Sequence, residues 1–300
     1  MTHPLRLAVI GLGSMGLGMA TSLLRAGHVT FGIDRNPDAQ NRFAEAGGAP
    51  GDLTEVAGTL DAVVIVVLNA AQTETVLFGP DGVVPKLRNG AVVVACATVA
   101  PEFARAMEAR CADHGVLYLD APISGGSVKA AEGALSIMAS GTPEAFAAAR
   151  PVLDATAATV FALGDAAGAG SAMKAANQLL AGVHIAAMAE AMTFAMTQGI
   201  DPETFLDVIP KCAGTSWMLE NRAPHIVAGD YTPHSSVDIW PKDLGIVLDI
   251  AKGVKFGAPL TAAALQQFLA ASGSGLGLED DAAVAKVYAR NAGLTLPGQS

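Results

Sequence analysis

Short apolar runs alternate with longer amphipathic segments through the first half of the chain. Several of these runs lack the alternation of apolar and polar residues that marks a half-exposed strand, which is typical of strands in a sheet covered on both faces. Their alternation with helices predicts an α/β fold with a doubly wound, mostly parallel sheet. The runs are LRLAVI at 5–10, VTFGI at 29–33, AVVIVVL at 62–68, AVVVACA at 91–97, VLYLD at 116–120, LSIMAS at 135–140 and ATVFAL at 158–163.

The pattern changes after Leu163, where strand candidates stop. A run from Ser171 to Gln198 is almost continuously apolar, and Lys174, His184 and Glu190 are among the polar residues that interrupt it. Its length would suit a membrane span, but these polar side chains favour a long buried helix in a soluble protein. Helix candidates then follow at 201–212, 216–228, 241–256, 258–272 and 279–291.

A glycine motif follows the first apolar run and opens the first helix. In this position the first glycine permits a sharp turn, the second lets backbone N–H groups approach a pyrophosphate, and the third lets helix and strand pack closely. The helix N-terminus then favours the phosphates. The motif predicts a dinucleotide site, against the alternative of a glycine turn that binds nothing; its residues are Gly11, Leu12, Gly13, Ser14, Met15 and Gly16.

An acidic residue ends the second predicted strand. Asp34 stands where a Rossmann-type fold places the carboxylate that binds the ribose hydroxyls. Its charge would repel a 2′-phosphate, so the sequence predicts NAD rather than NADP as cofactor, although the adjacent Arg35 could soften that preference. We therefore expect an NAD-binding Rossmann domain over 1–164, and an all-helical substrate and oligomerisation domain over 165–300 that begins with the long helix.

Polar residues follow the next strands, where ligands of such sheets bind. Leu68 ends the third run and Asn69 follows it, and Thr98 follows the fourth run. These residues are candidates for cofactor contact, and the two polar side chains could equally be a helix cap or turn residues.

The loop after VLYLD combines a proline with two glycines. Ser124 offers a hydroxyl, and Gly125 and Gly126 leave the backbone open to close approach. We expect this loop to bind the carboxylate of a small substrate.

Lys174 and Asn177 are three residues apart, and therefore on one face of the long helix. Oxidation of an alcohol by a nicotinamide requires a base for the hydroxyl proton, and a lysine in an apolar setting can supply a neutral amine. The alternatives are a lysine that extends to solvent and a satisfied core amide. Lys242 opens a later helix, where a cation is unfavourable, and contact with a ligand would explain it.

Composition limits the remaining possibilities. A formal net charge of −10 and the lack of a basic run argue against nucleic acid as a partner. The three cysteines are widely spaced, which fits neither a disulfide framework nor a closed zinc site, and we expect no metal. We find no secretion signal and expect a cytoplasmic protein without a membrane anchor. The apolar helix favours a homodimer or homotetramer.

Four motifs together resemble the β-hydroxyacid dehydrogenase family: GLGSMG at 11–16, DAPISGG at 120–126, GAGSAMKAANQ at 168–178 and KDL at 242–244. The resemblance covers nearly the whole chain. It implies a Rossmann domain, a long interdomain helix and a helical C-terminal domain. It also implies that Lys174 is catalytic, that Ser124, Gly125 and Asn177 lie at the substrate, and that Asn69, Thr98 and Lys242 lie by the cofactor.

Within that family, segments 212–245 and 278–288 resemble members that oxidise the C2 hydroxyl of a four-carbon sugar acid. Side chains that could bind the extra hydroxyls are those of Ser216, Asn221, Arg222 and His225, the last two of which could instead face solvent. Members acting on 3-hydroxyisobutyrate, or on tartronate or succinic semialdehyde, are the alternatives. A non-catalytic NAD sensor and an assembly protein built on the long helix are the alternatives outside enzymology.

Overall fold

The computed structural model describes residues 4–50 and 52–299, and the chain divides into two compact units, one ending at Lys174 and the other beginning at Ala175. The first unit contains a six-stranded parallel sheet in the order β3-β2-β1-β4-β5-β6. This is the strand order of a Rossmann fold. The strands are β1 Arg6–Ile10, β2 Val29–Ile33, β3 Ala49–Pro50, β4 Ala62–Ile65, β5 Val92–Ala95 and β6 Leu117–Asp120.

Alternate residues of the central strands β1, β4 and β5 enter different cores. Leu7 and Val9 belong to one cluster of buried side chains, whereas Ala8 and Ile10 belong to another on the opposite face. The sheet therefore has two apolar faces, which explains why its strands lack apolar–polar alternation.

Helices and a second, smaller sheet complete the first unit. The helices are α1 Ser14–Arg25, α2 Pro37–Glu45, α3 Leu53–Val56, α4 Ala70–Phe78, α5 Pro101–Ala112, α6 Gly126–Glu132 and α7 Pro143–Thr156. The smaller sheet has the order β7-β8-β9 and consists of β7 Ile123–Ser124, β8 Leu135–Ala139 and β9 Ala157–Ala162. A bridge between Asp120 and Ser140 joins the ends of β6 and β8.

The second unit is helical, apart from a bridge between Ser236 and Asp280. Its core includes Met188, Met192 and the stacked rings of Trp240 and Phe268, whose centroids are 5.5 Å apart. The long helix α8 spans Ala169–Thr197 and so crosses from one unit into the other. The remaining helices are α9 Pro202–Val208, α10 Trp217–Ala228, α11 Ile239–Gly253, α12 Pro259–Ala271 and α13 Ala285–Asn291.

Helix α8 is long and apolar enough to cross a membrane by length and composition alone. Polar side chains along it, including those of Gln178 and Thr193, are nevertheless buried in the protein. That burial agrees with the expectation of a helix packed within the fold.

The element types agree with the sequence, and several bounds differ. The strand in the third apolar run is shorter than predicted: β4 ends at Ile65, and a loop then leads to α4. The helix predicted over 279–291 begins as a 3-10 turn at Asp281–Val284, before α13. The domain boundary after residue 164 stays a prediction.

Candidate active site

The turn between β1 and α1 can form only with glycine at two positions. Gly11 has φ +96°, and a Cβ atom there would lie 2.3 Å from the Val66 carbonyl oxygen. A Cβ atom on Gly16 would lie 1.8 Å from the Gly11 oxygen. These two glycines are therefore required by the packing of strand against helix.

Gly13 differs from them, because a Cβ atom built there meets no protein atom within 4 Å. It is the N-cap residue of α1, where first-turn N–H groups point away from the helix. Its glycine character leaves space beside those groups, as the close approach of a pyrophosphate requires.

The Asp34 carboxylate lies at the carboxyl end of the sheet, against the glycine turn. Its Oδ2 accepts a hydrogen bond from the Leu12 backbone N–H at 2.6 Å, and its Oδ1 accepts one from the Asn36 N–H at 2.8 Å. The neighbouring Arg35 side chain is exposed.

A cavity of about 650 Å³ opens at this edge of the sheet. It brings together five residues predicted from the sequence, namely Gly11, Gly13, Asp34, Arg35 and Leu68. Its size, its open glycine turn and its carboxylate fit a dinucleotide held at the end of a Rossmann sheet.

Sequence reasoning missed the apolar wall of this cavity, which includes Leu53, Val76 and Pro80. Leu53 follows β3, whereas Val76 and Pro80 follow β4, and the carboxyl ends of these parallel strands lie at one edge of the sheet. That topological argument was the available signal, because no local motif marks the three side chains.

The two residues predicted after β4 take part in local hydrogen bonds at the start of α4. The Asn69 side chain caps α4 by accepting a hydrogen bond from the Gln72 N–H at 2.9 Å, and the Leu68 N–H donates to Gln72 Oε1 at 2.9 Å. Thr98 follows β5 and is half-buried. Contact of Asn69 and Thr98 with the cofactor stays a prediction.

The predicted carboxylate loop joins β7 to α6. Ser124 is the last residue of β7 and is half-buried, and Gly125 is the N-cap residue of α6 with φ +137°. Gly126 has φ +79°, and no protein atom lies within 4 Å of a Cβ atom built there. The loop thus keeps a hydroxyl and open backbone next to each other.

Lys174 lies in the second turn of α8 and is 8% exposed. The start of this helix is held by a buried carboxylate from β6. Asp120 Oδ2 accepts hydrogen bonds from the N–H groups of Gly168 and Ser171, both at 2.9 Å. Burial raises the pKa of the Asp120 carboxyl, and the hydrogen bonds from Ser171 and Gly168 oppose that increase.

In the second unit, two predicted site residues belong to one polar chain. Asn177 Nδ2 donates to Gln178 Oε1 at 2.9 Å, and Gln178 Nε2 donates to the buried Asp243 Oδ2 at 2.5 Å. Lys242 Nζ lies 2.7 Å from Asp243 Oδ1. Gln178 and Asp243 were within the recognised motifs but were not assigned a role, because their pairing joins helices far apart in sequence.

Arg222 and His225 are directed towards buried acids. Arg222 Nε donates to Asp281 Oδ1 at 2.5 Å, and the Arg222 side chain is 10% exposed, so the expectation that it could face solvent was wrong. His225 Nδ1 lies 2.9 Å from Asp280 Oδ1. Ser216 caps α10 by accepting from the Leu219 N–H.

Two family models match the chain. The model described as the NAD binding domain of 6-phosphogluconate dehydrogenase matches residues 6–164, and the model described as the NAD-binding of NADP-dependent 3-hydroxyisobutyrate dehydrogenase matches residues 168–288. The chain belongs to the β-hydroxyacid dehydrogenase family. The resemblance found in the four sequence motifs is thereby confirmed.

Members of this family are similar to the chain over almost its full length. It is 52% identical to the L-threonate dehydrogenase of Cupriavidus necator, with 98% of each chain covered. It is 35% identical to the 3-hydroxyisobutyrate dehydrogenase of Pseudomonas aeruginosa, with 87% of this chain and 90% of the relative covered. A crystal structure described as a 3-hydroxyisobutyrate dehydrogenase from Salmonella typhimurium matches with a TM-score of 0.89 and 48% identity, covering 94% of this chain and 99% of the other.

Family membership confirms several predictions. The fold is a Rossmann-type sheet followed by a helical C-terminal part. The protein is a hydroxyacid dehydrogenase that uses a nicotinamide dinucleotide and acts on a small hydroxy acid. The roles of individual site residues stay predictions at this point.

Proposed function

We propose that this β-hydroxyacid dehydrogenase oxidises L-threonate at its C2 hydroxyl to the 2-keto acid, with NAD as the acceptor. The observation that supports this substrate is the 52% identity, over 98% of the chain, to a relative described as an L-threonate dehydrogenase. A second candidate is 3-hydroxyisobutyrate, because the 48%-identical crystal structure is described as a dehydrogenase of that acid.

The carboxylate of the substrate binds the loop after β7. Ser124 donates its hydroxyl proton, and the N–H groups of Gly125 and Gly126 complete the set of donors. Support comes from the positive φ angles of both glycines and from the open space beside Gly126. Asn177 orients the hydroxyl that reacts.

Lys174 is the acid–base group. As a neutral amine it takes the proton of the C2 hydroxyl while the carbon loses its hydride, and as an ammonium it returns that proton in the reverse direction. Nicotinamide, when bound, supplies the hydride acceptor. Lys174 stands within GAGSAMKAANQ and is 8% exposed, so its side chain lies inside the protein rather than in bulk solvent.

The cofactor site lies at the carboxyl edge of the Rossmann sheet. The first turn of α1, from Gly11 to Gly16, holds the pyrophosphate, and Asp34 accepts hydrogen bonds from the adenosine ribose. A 2′-phosphate beside the Asp34 carboxylate would be repelled, which favours NAD over NADP. Arg35, Leu68, Asn69 and Thr98 border the same edge of the sheet, and Lys242 completes the cofactor contacts.

The NAD-binding domain of the chain ends near residue 164.

The chain forms a homodimer or homotetramer in the cytoplasm. Leu180, Ala187 and Phe194 are exposed at intervals of seven along α8, and the side chains of Leu180 and Phe194 are 54% and 65% exposed. Exposed apolar residues in register along one helix favour contact with a second copy.

A substrate panel tests this proposal. Purified protein is assayed with NAD and with NADP against L-threonate, its epimers, 3-hydroxyisobutyrate, glycerate and serine. We expect kcat/KM for L-threonate with NAD to exceed that for 3-hydroxyisobutyrate by about 100-fold or more, since a pocket built for hydroxyl groups rejects a substrate that leaves them unpaired. A larger kcat/KM for 3-hydroxyisobutyrate would reject L-threonate, and equal use of NADP would reject the role of Asp34.

A further inference from the structure

The N-terminus of α8 is capped by two side chains from outside the helix, one at the end of β6 and one directly after β8. Besides its bonds to the Gly168 and Ser171 N–H groups, Asp120 accepts from the Ser171 hydroxyl, Oγ to Oδ1, at 2.7 Å. Ser140 Oγ accepts from the Gly170 N–H at 2.9 Å and lies 3.2 Å from Asp120 Oδ2. N–H groups that a helix start leaves unpaired are therefore satisfied from β6 and from the residue after β8.

This cap is buried and tightly packed. Asp120 is 1% exposed, and Ser140 and Ser171 are fully buried. A Cβ atom on Gly170 would lie 2.3 Å from the Met138 carbonyl oxygen, so the helix start rests directly on β8. Neither a shift along the helix axis nor a rotation about it is possible here without breaking these contacts.

Lys174 is placed by this turn. It follows Gly170 by four residues and Ser171 by three, so all three share one face of α8. Helical side chains lean towards the preceding turn, which here is the turn that Asp120 holds. The same Asp120 begins DAPISGG, four residues before Ser124. One carboxylate thus connects the lysine helix to the predicted carboxylate loop.

We propose that Asp120 is a positioning residue for the reaction, which fixes the first turn of α8 and thereby the point from which Lys174 projects. This proposal rests on the proposed role of Lys174 as acid–base group. Its energetic basis is that proton transfer requires donor and acceptor within hydrogen-bond reach, and a misplacement of about 1 Å can cost 100-fold in rate.

Two substitutions of Asp120 test the role of its hydrogen bonds, since one can keep them and the other removes them. In Asp120→Asn, the amide oxygen can take the place of Oδ2 and accept the same N–H groups, and the amide NH2 can donate to the Ser171 hydroxyl, which is able to accept. In Asp120→Ala, every one of these bonds is lost. We expect Asp120→Ala to lower kcat about 100-fold, and Asp120→Asn to recover kcat to within about fivefold of the wild type.

Two measurements distinguish a positioning role of Asp120 from a purely structural one: the Kd for NAD and the isotope effect on kcat. We expect the Kd for NAD to stay unchanged in both variants. The deuterium isotope effect on kcat, measured with substrate labelled at the reacting carbon, should rise in Asp120→Ala, because the hydride leaves as the proton is removed and this combined step becomes slower relative to product release. Thr142→Ala is the matched control, since Thr142 Oγ1 caps α7 in the same unit by accepting from the Ala145 N–H. It should lower the melting temperature and leave kcat and the isotope effect as in the wild type.

Wild-type kcat and an unchanged isotope effect in folded Asp120→Ala would overturn the proposal. If Asp120→Ala does not fold, Ser171→Ala tests the proposal instead, because it removes one hydrogen bond to the Asp120 carboxylate. We expect it to lower kcat by a smaller factor than Asp120→Ala. An unchanged kcat in Ser171→Ala would also overturn the proposal. Lys174→Ala is assayed in parallel. An inactive Lys174→Ala beside a fully active Asp120→Ala rejects the positioning role alone, whereas an active Lys174→Ala rejects the proposed role of the lysine itself.

Discussion

The two units each bury a carboxylate, and they do so with different partners. In the first unit, Asp120 accepts from neutral groups, namely backbone N–H groups and the Ser171 hydroxyl at the start of α8 and the Ser140 hydroxyl after β8. In the second unit, Asp281 accepts from the Arg222 guanidinium and from Trp240 Nε1 at 3.0 Å. Burial raises the pKa of both carboxyl groups, and in the second unit the Arg222 charge opposes that increase.

This difference in partners distinguishes the proposed positioning role of Asp120 from the structural role of Asp281. Asp281 ties α10 and α11 to the turn at Asp281–Val284, so it links segments that are 59 and 41 residues away along the chain. Asp120 instead orients the helix that carries Lys174. We infer that substitutions around Asp281 act mainly on stability, whereas substitutions around the Rossmann edge and the start of α8 act mainly on chemistry.

The largest stability effect is expected from Arg222→Ala. It leaves the Asp281 carboxylate buried without its guanidinium partner, which should lower the free energy of unfolding by about 3–5 kcal/mol. Urea denaturation measures the loss. Because the unpaired carboxyl can be neutralised by protonation, the loss should shrink as the solution is made more acidic.

Arg150→Ala is the control for that experiment. Arg150 pairs with Asp154 at 2.7 Å, but both side chains are exposed, so removing the pair should lower the free energy of unfolding far less than removing the buried one. Equal losses in the two variants would show that the buried pair contributes no more than a surface one.

A smaller effect on stability is expected from two alanine substitutions in the turn between β1 and α1, at Gly11 and at Gly13. Gly11→Ala forces a Cβ atom against the Val66 carbonyl at a positive φ, which should lower stability by about 1–3 kcal/mol. Gly13→Ala meets no protein atom and should cost about 1 kcal/mol or less. Its methyl group would occupy the space beside the first-turn N–H groups, so we expect NAD to bind about tenfold more weakly.

Thermal unfolding and titration with NAD distinguish the two glycines. Wild-type affinity in Gly13→Ala would show that the pyrophosphate does not approach this turn. A Gly11→Ala protein as stable as the wild type would show that the turn can relax.

Local signals account for the parts of the fold that were predictable. Continuous apolar runs identified the buried strands, and the helix predicted from residue 201 corresponds to α9, whose N-cap residue Asp201 accepts through Oδ1 from the Thr204 N–H at 2.7 Å. The glycine motif and Asp34 were recognisable because their spacing is the one that a Rossmann-type dinucleotide site requires.

Long-range pairs were not predictable from the sequence. Asp120 meets Ser171 across 51 residues, and Gln178 meets Asp243 across 65, so no periodicity or spacing marks either pair. Arg222 had the residue type of a substrate contact, but its partner, Asp281, becomes visible only once α10 and the turn at Asp281–Val284 are packed together. Side-chain roles that depend on tertiary contact therefore needed the structure, whereas the fold class did not.

The central claim is that Lys174 moves the proton in a dehydrogenation that uses NAD, and turnover of the Lys174→Ala variant tests it most directly. Formation of NADH from L-threonate is followed for the wild type and the variant, together with NAD binding by calorimetry. We predict that the variant binds NAD with nearly the affinity of the wild type and forms no measurable NADH. Turnover by Lys174→Ala at the wild-type rate would contradict the account.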